Sequence, residues 1–320
     1  MTKRILTISL LIFGLLAALI AMLFGYQDIP LEQLKSKYAM DPSAFINVGN
    51  MDVHYRDEGI LSDSIPIVLI HGTGSSLHTF DEWTTQLKSD YRVIRMDLPA
   101  YGLTGPFPDR NYSMESYANF IYEFLGALGV TKCIIGGNSL GGSVAWNFTA
   151  KYPEMVDKLL LIDAAGYPFN SKSVPAAFKL AKIPVLKQLL TFITPRPVVE
   201  SSVQNVYADD SKVTDELVER YFELTLREGN RQAFVDRMKF QMGSDESESI
   251  IQSINQPTLI LWGDQDELIP IESAYRFQSD LPNNTLVILE GIGHVPMEES
   301  PLLSLEPVVA FLQKDSLEFN

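Results

Sequence analysis

One cysteine, Cys133, stands in 320 residues, and a lone thiol excludes both an internal disulfide and a thiolate-ligated metal cluster. Histidine is almost as scarce. His54, His71, His78 and His294 are the whole supply, so proton shuttling near neutral pH has four candidates. No Lys/Arg-rich run occurs. With 25 basic against 40 acidic side chains and a net charge of −15, the chain would repel phosphate backbones, which excludes nucleic acid as its main partner. Apolar residues are not lacking: at 46% they exclude wholesale disorder and suffice for one extensive core.

Charge is absent from Ile5 to Gln27, where Leu, Ile, Ala, Phe and Met predominate. About 20 helical residues cross a hydrocarbon layer of ~30 Å, so the run is long enough to span a membrane. Lys3 and Arg4 precede it and Asp28 and Glu32 follow it, an asymmetry that keeps the N-terminus cytoplasmic and sends the rest of the chain to the extracytoplasmic side. A cleaved signal, which would yield a secreted protein, fits less well, because Leu19 and Met22 stand where small residues are wanted near Ala21 and Gly25. A buried core helix would show a polar face. Residues 1–27 are therefore predicted as a single membrane-anchoring helix of signal-anchor type, and residues 28–43, with Pro30 and Pro42, as a tether.

Beyond the tether, short extended segments alternate with helical ones. Residues 45–48 and 51–56 flank a Gly49-Asn50 hairpin turn. Residues 67–70, 91–96, 134–135, 159–162, 258–262 and 285–289 are apolar runs of the kind buried on both faces of a sheet. Residues 113–128 read as a helix with Ser113 as N-cap and Gly129 as stop, and residues 302–312 read as another. The alternation predicts an α/β fold: a mostly parallel sheet of the eight-stranded type with helices on both faces. It breaks once. Residues 167–253 show helical segments (176–180, 185–191, 215–227, 231–242) and no convincing strand, so they are expected as a helical cap inserted between core segments 44–166 and 254–320.

The chemistry centres on Gly137-Asn138-Ser139-Leu140-Gly141, which follows a strand and opens a helical segment. That context is what a G-x-S-x-G nucleophile elbow requires, with small residues on both sides letting strand and helix approach. Ser139 is the expected nucleophile, and the backbone N–H of Leu140 at the positive end of the helix is an expected oxyanion donor. A serine hydroxyl needs a base. His54 lies in an early strand, His71 ends one, and His78 sits in the next loop, placed to line a pocket. His294 follows the last strand, where the order Ser…Asp…His puts the base. The carboxylate that orients the imidazole is to be found among Asp264, Asp266 and Glu267 after the preceding strand, with Asp163 at another strand end as rival. In His71-Gly72-Thr73-Gly74 a second oxyanion donor is available, most simply Thr73 N–H.

Six stretches together resemble the α/β-hydrolase superfamily, in the subgroup with a helical cap: VHYRDEG at 53–59, IVLIHGTGSS at 67–76, RMDLPAYGLTG at 95–105, GNSLGG at 137–142, LILWGDQDELIP at 259–270 and GIGHVPMEESP at 291–301. The resemblance implies Asp266 as the triad acid, through its place at the end of G-x-x-D, and Leu140 and Thr73 as oxyanion donors. The chain departs from the family's D-x-P-G-x-G-x-S at two positions, with Ala100 for the first glycine and Thr104 for the serine. Serine at 139 argues against epoxide hydrolases and haloalkane dehalogenases, which resemble this chain but use an aspartate. The elbow is similar to that of carbon–carbon bond hydrolases of ring-cleavage products, but those usually carry Trp after the histidine, and Val295 stands here. It is also similar to that of membrane-anchored monoacylglycerol-lipase-like enzymes.

The expected activity is hydrolysis of a small-molecule carboxylic ester through an acyl-enzyme, needing no metal or organic cofactor. Phe178, Leu180, Leu189, Leu190, Phe192, Tyr221 and Phe222 are cap residues available for an apolar roof, which favours lipid-like acyl substrates. The alternatives are a carbon–carbon bond hydrolase and a non-catalytic binding protein on the same scaffold.

Overall fold

The computed structural model describes residues 5–9, 11–12, 14–15, 24–183, 186–241, 243 and 246–314. Eight strands form one sheet: β1 (Ala44–Val48), β2 (Met51–Gly59), β3 (Ile67–Ile70), β4 (Arg92–Met96), β5 (Cys133–Asn138), β6 (Val156–Ile162), β7 (Thr258–Gly263) and β8 (Asn284–Leu289). Their order is β1-β2-β4-β3-β5-β6-β7-β8. β2 pairs antiparallel with both β1 and β4, and every pairing from β4 to β8 is parallel.

Side chains alternate across the sheet, and both faces are covered. Val68 and Ile70 of β3 join one apolar cluster with Ile121, Phe124, Val144 and Phe148 from the helices Met114–Ala127 and Leu140–Lys151. Ile67 and Leu69 face the opposite way, into a second cluster with Trp83, Leu87, Val308 and Phe311 from the helices Asp81–Leu87 and Pro301–Leu312. Burying each such side chain contributes about 1.5–3 kcal/mol. The helix Met114–Ala127 begins as the sequence predicts, with the Ser113 hydroxyl accepting from Ser116 N–H.

Between β6 and β7 the described residues hold helices and no strand: Ala176–Ala181, Leu186–Leu189, Arg196–Gln204, Asp215–Thr225, Asn230–Arg237 and Ser247–Ile251. The segment read as a tether is packed rather than free. It carries a helix, Leu31–Tyr38, with Leu34 and Tyr38 buried. Just before it, Ile29 bridges to Arg227, with Ile29 N–H donating to Leu226 C=O (2.7 Å) and Glu228 N–H to Ile29 C=O (3.0 Å).

The N-terminal membrane anchor is not supported. Among the described residues no helix is long and apolar enough to cross a membrane. Residues 5–9, 11–12 and 14–15 are helical, while residues 1–4, 10, 13 and 16–23 lie outside the described residues. The end of the apolar run is spent on other contacts: Phe24 C=O accepts from Thr194 N–H (3.1 Å), and the Tyr26 ring meets Phe222 edge-on at 4.9 Å. Hydropathy measures apolar length, whereas a span also requires a helix of that length, which the described residues do not hold. The transmembrane and signal-anchor assignments, and the extracytoplasmic placement built on them, fall with the anchor.

Three histidines are buried in the core. His54 Nδ1 bonds Asp97 Oδ2 at 2.7 Å, His71 Nε2 accepts from Leu98 N–H, and His78 contacts Ser76 and the Tyr38 carbonyl. Burial lowers His71 and brings His78 down to about 3. The unfolded chain takes up these protons near pH ~6.5 and the folded chain does not, so this stability is complete above that pH and is lost as pH falls toward the folded values. At pH 5 His78 alone accounts for about 2 kcal/mol. Thermal melts between pH 7 and pH 5 check this: the midpoint should fall, less steeply in His78→Asn, and a level midpoint would contradict the assignment.

Candidate active site

β5 ends at Asn138 and the next helix starts at Leu140, which leaves Ser139 alone to make the turn. Its φ of 56° and ψ of −114° lie where an L side chain is strained. Neighbouring backbone holds the bend. Ser139 N–H donates to Ile162 C=O at 3.0 Å, and Ser139 C=O accepts from Ser143 and Ala165 N–H at 3.0 and 3.1 Å. Close approach explains the flanking glycines: a Cβ on Gly137 would sit 2.3 Å from the Gly141 carbonyl carbon, and one on Gly141 would sit 2.1 Å from Ile70 O. Leu140 opens the helix, so its N–H lies at the positive helix end beside the serine.

His294 follows β8, and its Nδ1 bonds Asp266 Oδ2 at 2.6 Å. Asp266 follows β7, and its other oxygen accepts from Leu268 and Ile269 N–H at 2.8 and 3.0 Å, so the carboxylate is oriented from both sides. Both residues are buried. A ring nitrogen committed to a carboxylate leaves Nε2 as the one available to a substrate or to serine. Ser139, His294 and Thr73 line one cavity of about 150 Å³, walled by Phe178, Leu190, Val199, Val203, Tyr221 and Leu224. The residues predicted as nucleophile, base, acid and Thr73 donor are thus gathered at the carboxyl edge of the sheet.

The rival carboxylates are placed otherwise. Asp163, fully buried with φ 44°, accepts from Gly263 N–H at 2.9 Å. Burial, reinforced by the negative charge of Asp266, pushes its carboxyl well above the usual range, which disfavours the charged form that would stabilise an imidazolium. Asp264 accepts from Gly291 N–H at 2.7 Å and shapes the turn before His294. The ligand atoms of Asp163, Asp266 and His294 lie within 4.8 Å of one another, a metal-like spacing. A carboxyl whose charged form burial disfavours and an imidazole nitrogen already bonded to a carboxylate make a weak donor set.

Other expectations shift. His78 does not line the cavity. Phe178, Leu190 and Tyr221 do line it, whereas Leu189 and Phe192 are exposed and Phe222 packs on Tyr26. Two further residues hold the base loop. Asn138 Nδ2 donates to the His294 carbonyl at 2.8 Å and to Ile162 O at 3.2 Å, tying the elbow directly to that loop. Glu299, buried, accepts from Gly293 N–H at 2.7 Å and from Ala208 and Asp209 N–H at 3.0 Å, while His294 N–H donates to Val206 C=O at 2.8 Å. Asn138 stood at the unspecified position of the elbow motif, and Glu299 in a run of acids, so neither announced its partner.

The chain is similar to known proteins in sequence and fold. A family profile described as the alpha/beta hydrolase fold matches residues 65–301. Lipase 1 of Psychrobacter immobilis is 30% identical over 258 residues, covering 77% of this chain and 76% of that protein. The meta-cleavage product hydrolase of Pseudomonas fluorescens IP01 superposes with a TM-score of 0.73 at 25% identity, over 84% of this chain and 97% of that one. A structure described as a membrane phospholipase A superposes with a TM-score of 0.69 at 26% identity, over 98% of both chains.

Proposed function

The chain belongs to the alpha/beta hydrolase family, and from that premise we propose that it is a serine hydrolase of carboxylic esters with apolar, lipid-like acyl groups. The observation that carries this reading is a strained Ser139 and an Asp266-backed His294 facing one cavity under an apolar roof. Similarity to a lipase supports it.

His294 Nε2 takes the Ser139 proton as Oγ attacks the ester carbonyl. The backbone N–H groups of Leu140 and Thr73 receive the charge that develops on the carbonyl oxygen. His294 returns the proton to the leaving alcohol, then activates the water that releases the acid. Asp266 holds the imidazole in the tautomer that leaves Nε2 free to accept, and it stabilises the imidazolium.

A panel of p-nitrophenyl esters of graded acyl length tests the substrate class. Turnover should rise by about tenfold from acetate to a medium-chain ester as each buried methylene adds binding. A profile that is flat or peaks at acetate would remove the apolar-acyl reading. A fluorophosphonate probe should label Ser139; an unlabelled protein would favour a binding role on the same scaffold. Likeness to the meta-cleavage product hydrolase supports a second reading, carbon–carbon bond hydrolysis. Val295, which lines the cavity where those enzymes usually carry Trp, weighs against it. Bleaching of a coloured ring-cleavage dienoate by this protein would revive it.

A further inference from the structure

A second cleft, of about 710 Å³, meets the apolar cavity at Thr73, Ser139, Phe178 and Leu268. Its character is different. Lys182, Arg237 and Lys239 line it with Ser171 and Gln241, and among the described residues no Asp or Glu does. In a chain of net charge −15, a basic recess beside the nucleophile calls for a cause.

Arg237 supplies the sharper observation. It ends the helix Asn230–Arg237 and is only 3% exposed. Its Nη1 donates to Phe240 C=O at 2.7 Å and its guanidinium also meets the Tyr117 hydroxyl, but both partners are uncharged, and no carboxylate among the described residues forms an ion pair with it. The other buried arginines have a counter-charge: Arg95 pairs with Glu58 and Asp81, and Arg231 with Asp28. The adjacent acid, Asp236, is occupied by Arg110 and Lys239. A guanidinium removed from water with no counter-charge is costly, and the fork formed by its N–H groups matches two oxygens of a carboxylate or phosphate.

We infer that Arg237 binds an anionic group, a phosphate or a carboxylate, carried on the alcohol half of the ester. The acyl chain fills the apolar cavity, the scissile carbonyl lies at Ser139 where the two spaces meet, and the charged alcohol extends past Thr73 into the basic cleft, with Lys182 at its exposed mouth. The assignment of halves rests on the ester-hydrolase reading; the anion site itself does not.

Two matched ester pairs test it: 1-octanoylglycerol 3-phosphate against 1-octanoylglycerol, and the octanoyl ester of 4-hydroxybenzoate against that of its methyl ester. The readout is the ratio of kcat/KM, anionic over neutral. In Arg237→Met this ratio should fall by about tenfold or more for at least one pair, and in Arg237→Lys, which keeps the charge without the fork, by about threefold. The responding pair identifies the oxyanion. Ratios within about twofold of the unmodified protein for both pairs would overturn the inference, as would a loss shared equally by neutral and anionic esters. If the protein cleaves none of the four esters, the hydrolase reading fails and calorimetry decides the site. Octyl phosphate and octanoate titrated into Ser139→Ala should then bind about tenfold tighter, for at least one of them, than into Ser139→Ala carrying Arg237→Met. Equal affinity for both probes would refute the anion site.

Discussion

Ser139→Ala should lower kcat for a medium-chain p-nitrophenyl ester by a factor on the order of a million, leaving only the modest rate that binding and the oxyanion donors provide. The change removes one oxygen and leaves the bend intact, because the turn is held by backbone bonds to Ile162, Ser143 and Ala165 rather than by the side chain. Loss of activity should therefore come without loss of folding, so the melting temperature belongs in the same experiment. A variant that keeps a tenth of the unmodified rate would end the nucleophile assignment.

The second large effect separates two neighbouring acids. Asp266→Asn should lower kcat by about ten-thousandfold. Its amide can present N–H to His294 Nδ1, which favours the tautomer with the proton on Nε2 and leaves that nitrogen unable to accept the serine proton. Asp163→Asn should cost less than about tenfold, since an amide replaces a carboxyl whose charged form burial disfavours and its oxygen still receives the Gly263 N–H. Steady-state rates of the two variants, side by side, decide the matter. Equal losses would mean that the two carboxyls share the role and that Asp266 is not the sole orienter.

Residues of one strand or one turn were readable before any coordinates. The apolar runs that became β3, β7 and the latter part of β6 needed only local pattern, because strands covered on both faces are predominantly apolar, while β4 carries Arg92 and Arg95. The elbow was readable because its glycines mark a backbone that admits no Cβ. Ala100 shows the limit of such reading. It stands where the family has glycine, yet the structure gives it φ 91°, with its N–H donating to Gly105 C=O at 2.7 Å. The turn keeps the glycine conformation because its surroundings hold it. The apolar run at the N-terminus misled, since its composition does not reveal that Phe24 and Tyr26 pack on the cap.

By itself the sequence determined the alternating architecture, the position of the strained serine and the identity of the histidine and of the short list of acids, all of which are written in contiguous stretches. Only the tertiary structure decided which acid meets the imidazole, which cap side chains face the serine, and which of the buried arginines is left without a counter-charge. Those outcomes depend on distances between segments that are not neighbours in the chain, and on burial that disfavours the charge of one carboxyl while its neighbour stays oriented toward a ring nitrogen. Local pattern carries neither quantity.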